Sequence, residues 1–155
     1  MRMLNTLFAV RDLKKSLAFY QKVLGLEVVN DFGANVVLTG GLALQTLDVW
    51  AAFLGKEPEA LRFGGSDAEI YFEAEDFDAF LKTLRTFPEV ELVRPPLEHG
   101  WGQRVVRLYD PDRHIVEVGE PMSRVAKRFR DGGLTEEGVA RRMDVSLEYA
   151  RELLK

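Results

Sequence analysis

Short apolar segments alternate with amphipathic ones along the first 120 residues. Residues 3–10 are mostly apolar and predict a strand, after which Asp12 stands where a helix N-cap would be. The apolar residues that follow recur at helical spacing, at Leu13, Leu17, Tyr20 and Leu24. Gly25 is a suitable residue to end this helix. Three β-type segments come next, at residues 26–32, 35–40 and 42–47, with glycines between them.

The second half of this region shows the same order of segments. After a short helix predicted near Val49–Leu54 and a loop at Gly64-Gly65-Ser66, residues 68–74 predict a strand. Asp76 and Asp78 then precede a helix whose apolar positions are Phe77, Phe80, Leu81 and Leu84. The remaining segments are a strand at 90–93, a break at Pro95-Pro96, and strands at 103–109 and 114–119.

The pattern therefore reads βαβββ twice, and the second copy is offset by about 64 to 72 residues. Each unit would leave one sheet face bare, so two units side by side would enclose a cavity. We predict an α+β fold in which two paired βαβββ modules form an open, barrel-like sheet cavity. The predicted domain covers residues 1–120, with modules at about 1–60 and 66–120, and residues 121–155 form a helical extension.

Composition narrows the chemistry. The 155 residues include no cysteine and two histidines, His99 and His114, which excludes disulfides, thiolate zinc sites and any three-imidazole centre within one chain. No apolar run approaches the length of a membrane span, and the N-terminus lacks the pattern of a signal peptide, so a cytoplasmic location without membrane contact is expected. The net charge of −4 divides into −6 for residues 1–120 and +2 for the rest. Nucleic-acid binding is not expected of the acidic domain.

Two motifs resemble those of one superfamily. The segment DLxxSxxFYxxxLGL begins at Asp12, and DPDxxxxEV begins at Asp110 and includes Glu117, with Trp101-Gly102 shortly before it. Together with the repeated unit, they resemble the vicinal-oxygen-chelate superfamily of glyoxalase I, extradiol dioxygenases, and fosfomycin- and bleomycin-resistance proteins. This resemblance implies a small-molecule ligand in the cavity between the modules and a homodimer.

The resemblance also implies four metal-ligand positions, which fall on Asn5, Gln45, Glu69 and Glu117. Glu117 alone is the residue type that the family uses. Two amides and two carboxylates would suit Mg²⁺, Mn²⁺ or Ca²⁺ better than Ni²⁺, Zn²⁺ or Fe²⁺. Without a metal, Glu69 and Glu117 would repel each other unless a basic group, Arg104 or Arg107, balanced them.

Other candidate site residues are aromatic or polar groups on loops and strand ends. Glu117 and Glu69 are the candidate catalytic groups. Trp101 lies between two glycines and is a candidate ligand-stacking residue, with Gln103, His99 and Trp50 as further substrate-binding candidates. The alternative for His99 is an exposed loop residue, and the alternative for Trp50 is simple packing beneath its loop.

The extension predicts three helices, at Met122–Arg130, from Thr135, and at Leu147–Lys155. The last two resemble a helix-turn-helix hairpin, but the final helix has no spare positive charge. Packing on the domain or on a partner subunit is the simpler interpretation.

Three functions remain open. The first is a superfamily enzyme, such as a divalent-metal-dependent lyase or a dioxygenase-like enzyme. The second is a metal-free binding protein of the bleomycin-resistance type, which would sequester its ligand. The third is a ligand-sensing regulator that uses the helical tail.

Overall fold

The computed structural model describes all 155 residues, and these form eight strands and six α-helices with the connecting loops. In chain order these are β1 (Thr6–Val10), α1 (Leu13–Lys22), β2 (Val28–Asp31), β3 (Asn35–Leu38), β4 (Leu42–Thr46), α2 (Leu47–Phe53), β5 (Glu69–Glu73), α3 (Phe77–Leu84), β6 (Leu92–Glu98), β7 (Arg104–Tyr109), β8 (Ile115–Gly119), α4 (Met122–Asp131), α5 (Glu136–Met143) and α6 (Leu147–Leu153). Short 3-10 turns occupy Thr39–Gly41 and Pro58–Ala60. No helix combines the length and the apolar character that crossing a membrane would require.

The chain divides into two compact units. The first comprises residues 1–68 and 109–114, and its sheet has the strand order β1-β4-β3-β2. The outer strand β1 runs parallel to β4, while β3 is antiparallel to both of its neighbours. Val10, Leu38, Leu42 and Leu44 are almost wholly buried in this unit, as is Tyr20 on α1.

The second unit comprises residues 69–108 and 115–155 and repeats the arrangement, with the strand order β5-β8-β7-β6. Here β5 is parallel to β8, and β6 is antiparallel to β7. Val105, Leu108, Val116 and Val118 are buried. The duplicated βαβββ order and the α+β class predicted from the sequence are therefore confirmed.

Both predicted helix starts are confirmed by their caps. The Asp12 side chain accepts a hydrogen bond of 3.0 Å from the Lys15 backbone N–H, and Asp76 accepts one of 2.8 Å from the Ala79 backbone N–H. Each cap satisfies one of the donors that a helix leaves free at its N-terminus.

The end of the strand β6 was wrongly predicted. Pro95-Pro96 does not break the chain but lies within β6, which continues to Glu98. Proline is tolerated because β6 is the edge strand of its sheet and its pairing with β7 is irregular between Arg94 and Leu97. A missing N–H is harmless where no ladder bond is made.

The two sequence motifs contact each other within the first unit. Tyr20 donates a hydrogen bond of 2.9 Å to Asp110, and Ser16 donates one of 3.3 Å to Asp112. Both aspartates are buried, and Asp110 also accepts from the backbone N–H groups of Asp112 and His114. The motif residues therefore hold a turn in place and fix the position of the helix α1.

Candidate functional site

The site is built on one face of the second sheet. In the parallel pairing of β5 with β8, Tyr71 lies opposite Glu117, and Glu69 lies opposite Ile115. Because side chains alternate along a strand, Glu69, Tyr71 and Glu73 share one face, as the sequence predicted. The Glu117 side chain is only 8% exposed, whereas that of Glu69 is 37% exposed.

Arg107 on β7 pairs with both candidate catalytic carboxylates. Its Nε lies 2.7 Å from Glu69 Oε2, and its Nη2 forms an ion pair with Glu117 Oε2. Of the two arginines proposed from the sequence as counter-ions, Arg107 therefore has this role. Arg104 instead pairs with Asp78 and with the buried Glu120.

This setting shifts the pKa of Glu117. Burial raises the pKa of the Glu117 carboxyl above its usual value, and the charge of Glu69 adds to this rise. Arg107 opposes the rise, and hydrogen bonding to Glu69 raises the pKa of the Arg107 guanidinium in turn. Glu117 is thus a buried carboxyl that holds a proton more readily than an exposed one and is neutralised by a cation when ionised.

Gln103 links the carboxylate region to the aromatic residues. Its Nε2 donates to the Tyr71 hydroxyl at 2.9 Å and to the Glu120 carbonyl at 2.8 Å, and its Oε1 accepts from Trp101 Nε1 at 3.2 Å. Gly119 makes room for this network, because a Cβ there would lie 3.1 Å from both Tyr71 Cε2 and Gln103 Nε2. The Gln103 amide is therefore fixed and orients both aromatic side chains.

Tyr71 remains a neutral hydroxyl throughout the physiological range. Burial, together with the charge of Glu73, raises the pKa of Tyr71 to about 12. The hydroxyl donates a hydrogen bond of 3.2 Å to Glu73. Tyr71 is 44% exposed, so its side chain is accessible to a ligand.

His99 and Trp101 form an aromatic stack at the loop between β6 and β7. Their ring centroids are 4.3 Å apart and the planes differ by 13°. Trp101 is 40% exposed. Burial lowers the pKa of His99, and the charges of Arg107 and Arg94 lower it further, so the imidazole is neutral near pH 7.

Three of the four predicted substrate-binding residues are thus connected: Trp101, Gln103 and His99 lie on one loop, next to Tyr71. The fourth, Trp50, is a partly buried residue of α2 in the first unit, and its predicted role stays a prediction.

Of the four positions implied for a metal, three have side chains that already bind other protein groups, and the fourth, Asn5, is exposed. Gln45 is buried, donates to the Ala34 carbonyl at 2.8 Å and accepts from Asn35 at 3.0 Å. Asn5 is exposed and lies one residue before β1 rather than within it, contrary to the predicted strand.

No group of three or more His, Cys, Asp or Glu side chains is arranged to hold a metal ion. The oxygens of Glu69 and Glu117 already face the Arg107 guanidinium, and Gln45 Oε1 already accepts a hydrogen bond. A cation beside the carboxylates disfavours a second cation there. The residues present therefore do not fit a resident divalent metal.

Comparison with known proteins identifies the family. A model of the family described as Glyoxalase-like domain matches residues 3–123. This chain belongs to that family. It is 26% identical over 125 residues to the uncharacterized protein YraH of Bacillus subtilis, a match that covers 76% of this chain and 97% of YraH.

Solved structures agree with this assignment. A protein of unknown function from Agrobacterium tumefaciens is 36% identical, with a TM-score of 0.70, and the match covers 78% of this chain and 94% of that one. A glyoxalase/bleomycin resistance protein/dioxygenase from Nocardioides shares the fold at 20% identity, with a TM-score of 0.62 and coverage of 77% and 83%. The glyoxalase-like family, and with it the vicinal-oxygen-chelate resemblance, is thereby confirmed.

Sequence reasoning missed the partners of two residues that it had singled out, Arg104 and Gln45. The buried Glu120 accepts from Arg104 at 2.7 Å and from Arg128 at 3.1 Å, although it is the last residue of the predicted domain. Asn35, the partner of Gln45, faces it across the β3–β4 pair, a register that the sequence alone did not determine. The one sequence feature that could have pointed to the arginine contacts is a charged residue, Glu120, directly before Pro121.

Proposed function

We propose that this glyoxalase-like protein binds a small organic molecule without a metal, on the face formed by Glu69, Tyr71, Trp101, Gln103 and Glu117. The observation that supports this most strongly is the Arg107 side chain, which pairs with both family-position glutamates. A guanidinium in this place neutralises the carboxylates as a metal would, and leaves an aromatic and hydrogen-bonding surface beside them. Binding without catalysis is the function of the bleomycin-resistance type.

The residues on this face favour a particular ligand chemistry. Trp101 and Tyr71 offer partly exposed rings, which stack well on planar groups. The carboxylates of Glu69, Glu73 and Glu117 outnumber the two nearby guanidinium groups, those of Arg107 and Arg94, and can accept hydrogen bonds. We therefore propose a neutral or cationic ligand that has a planar ring and hydrogen-bond donors.

Fluorescence titration tests this proposal. In a Trp50→Phe variant, Trp101 is the only tryptophan and its emission reports ligand contact. Aromatic amines and aromatic carboxylates of matched size would be titrated in the presence of a chelator. We expect saturable quenching by amines, weaker quenching by carboxylates, and no effect of the chelator. Binding that requires an added metal would contradict the proposal, and so would the absence of saturable quenching by any amine.

A second candidate function rests on the raised pKa of Glu117. A buried carboxyl whose pKa is raised keeps its proton to a higher pH than an exposed one, so Glu117 could donate or accept a proton in a reaction of the bound molecule. Glu117→Gln separates the two functions, since it would abolish turnover while retaining binding in the enzyme. In a binding protein there would be no turnover to lose.

A further inference from the structure

The C-terminal extension has a small apolar core of its own. Its buried residues lie on all three helices, α4, α5 and α6: Val125, Ala126, Val139, Ala140, Met143 and Ala150. Phe129 packs against this core from α4. The family match ends at residue 123, so almost the whole extension lies outside the shared glyoxalase-like domain.

Phe129 lies against the loop that carries the His99–Trp101 stack. Gly102 in this loop has φ +92°, and a Cβ there would lie 2.5 Å from Phe129 Cε2 and closer still to Cζ. No side chain can occupy such a position without displacing the ring. Gly102 is therefore both a turn residue and the point at which the Phe129 ring of the extension contacts the loop.

Arg128 forms a hydrogen bond with the backbone carbonyl of the same glycine, Gly102. Its Nη2 donates to the Gly102 carbonyl at 2.5 Å and to Glu120 Oε2 at 3.1 Å, and its Nη1 lies 3.6 Å from Glu98 Oε2. The Glu120 side chain is only 6% exposed, so the ion pair between Arg128 and Glu120 is shielded from solvent.

Arg142 on α5 holds the other end of the turn. Its Nη1 donates to the Gly100 carbonyl at 2.5 Å, and its Nη2 donates to Glu98 Oε1 at 3.2 Å. The guanidinium carbons of Arg128 and Arg142 lie 5.1 and 4.8 Å from the Phe129 ring centroid, a distance suited to cation–π attraction. Three side chains of the extension thus form one cluster on the loop.

We propose that the extension is a positioning element for the ligand-binding loop, residues 98–102, and that Arg128, Phe129 and Arg142 are its positioning residues. Two glycines flank Trp101, so the free loop would have much conformational freedom to lose on binding a ligand. The extension removes that freedom in advance and thereby preorganises Trp101. The consequence for ligand affinity rests on the proposed function, whereas the loop's dependence on the extension does not.

Acrylamide quenching of Trp101 tests the inference without any ligand. The full chain with Trp50→Phe would carry Arg142→Ala, Phe129→Leu or, as matched control, Arg151→Ala. Arg151 pairs with Glu136 at 2.8 Å inside the extension and forms no hydrogen bond or ion pair with the loop. Because Trp101 is 40% exposed, release of the loop would raise the quenching constant roughly two-fold at most.

We expect a rise for Arg142→Ala and Phe129→Leu and no change for Arg151→Ala, with circular dichroism at 222 nm unchanged for the arginine variants. Unchanged quenching in folded Arg142→Ala and Phe129→Leu would overturn the inference. An equal rise in Arg151→Ala would also overturn it, since the effect would then be general loosening. If no aromatic amine binds the parent protein, the proposed function fails, and the quenching result still decides this inference.

Discussion

Replacing Arg107 by methionine tests the role of its guanidinium between the two glutamates. Methionine has a side chain of comparable length without the charge, so Glu69 and Glu117 would be left facing each other. Glu69 is 37% exposed, and its lost pair is worth at most about 1 kcal/mol of the free energy of unfolding. Glu117 is 8% exposed, and stranding a buried charge costs about 3–5 kcal/mol if the group stays ionised.

The loss should depend on pH, and its sign follows from Glu117. A carboxyl whose pKa is raised by folding binds its proton more tightly in the native state, so stability falls as pH rises through the folded pKa. Removing Arg107 raises that pKa further, because burial and Glu69 then act unopposed. Each additional unit subtracts about 1.4 kcal/mol from stability above the new pKa. We expect a loss of about 2–4 kcal/mol at pH 8 and about 1 kcal/mol at pH 5.

Urea unfolding followed at 222 nm, at both pH values, measures this loss. Arg94→Met is the matched control, because Arg94 on β6 is the strand-register neighbour of Arg107 on β7 and forms no ion pair with a carboxylate. It should change stability by less than about 0.5 kcal/mol. Equal losses for Arg107→Met at pH 5 and pH 8 would refute the reasoning, since they would show that Glu117 does not depend on this guanidinium.

Three other substitutions have expected costs that urea unfolding can measure. Gly102→Ala should lower the free energy of unfolding by about 2–4 kcal/mol, because of positive-φ strain and overpacking against Phe129. Adding Phe129→Ala to the same chain should reduce the loss caused by Gly102→Ala. Additive losses of the two substitutions would contradict the contact. Tyr20→Phe should lower the free energy of unfolding by about 1–3 kcal/mol by removing one of the donors to buried Asp110, and an unchanged midpoint would refute this. Gln45→Leu should lose a similar amount, about 1–3 kcal/mol, and full stability would show that its amide bonds contribute nothing.

Local signals in the sequence were enough to predict the repeated fold. The aspartates before α1 and α3 cap their helices as predicted, and period-two alternation placed Glu69 and Tyr71 on one face. These features depend on neighbours a few residues away. The error at Pro95-Pro96 arose because an edge strand tolerates proline, and edge position is a property of the whole sheet.

The site was predictable only in part, because its partners come from distant segments. Arg107 was one of two counter-ions considered, and choosing it required the register of β7 against β8. The contact of Phe129 with Gly102 joins residues of the extension and the domain, and no periodic pattern connects them. Side-chain pairing over such separations depends on tertiary packing, which composition and spacing do not determine.

A divalent-ion titration of the wild-type protein tests the central claim that Arg107 takes the place of a metal beside Glu69 and Glu117. After dialysis against a chelator, thermal unfolding would be followed with Mg²⁺, Mn²⁺, Ni²⁺ and Zn²⁺ in turn. A specific ion at roughly 100 times its Kd would stabilise the fold by about 2.7 kcal/mol. We predict no saturable rise in Tm with any of the four ions. A saturable rise that Glu117→Gln abolishes would contradict the account.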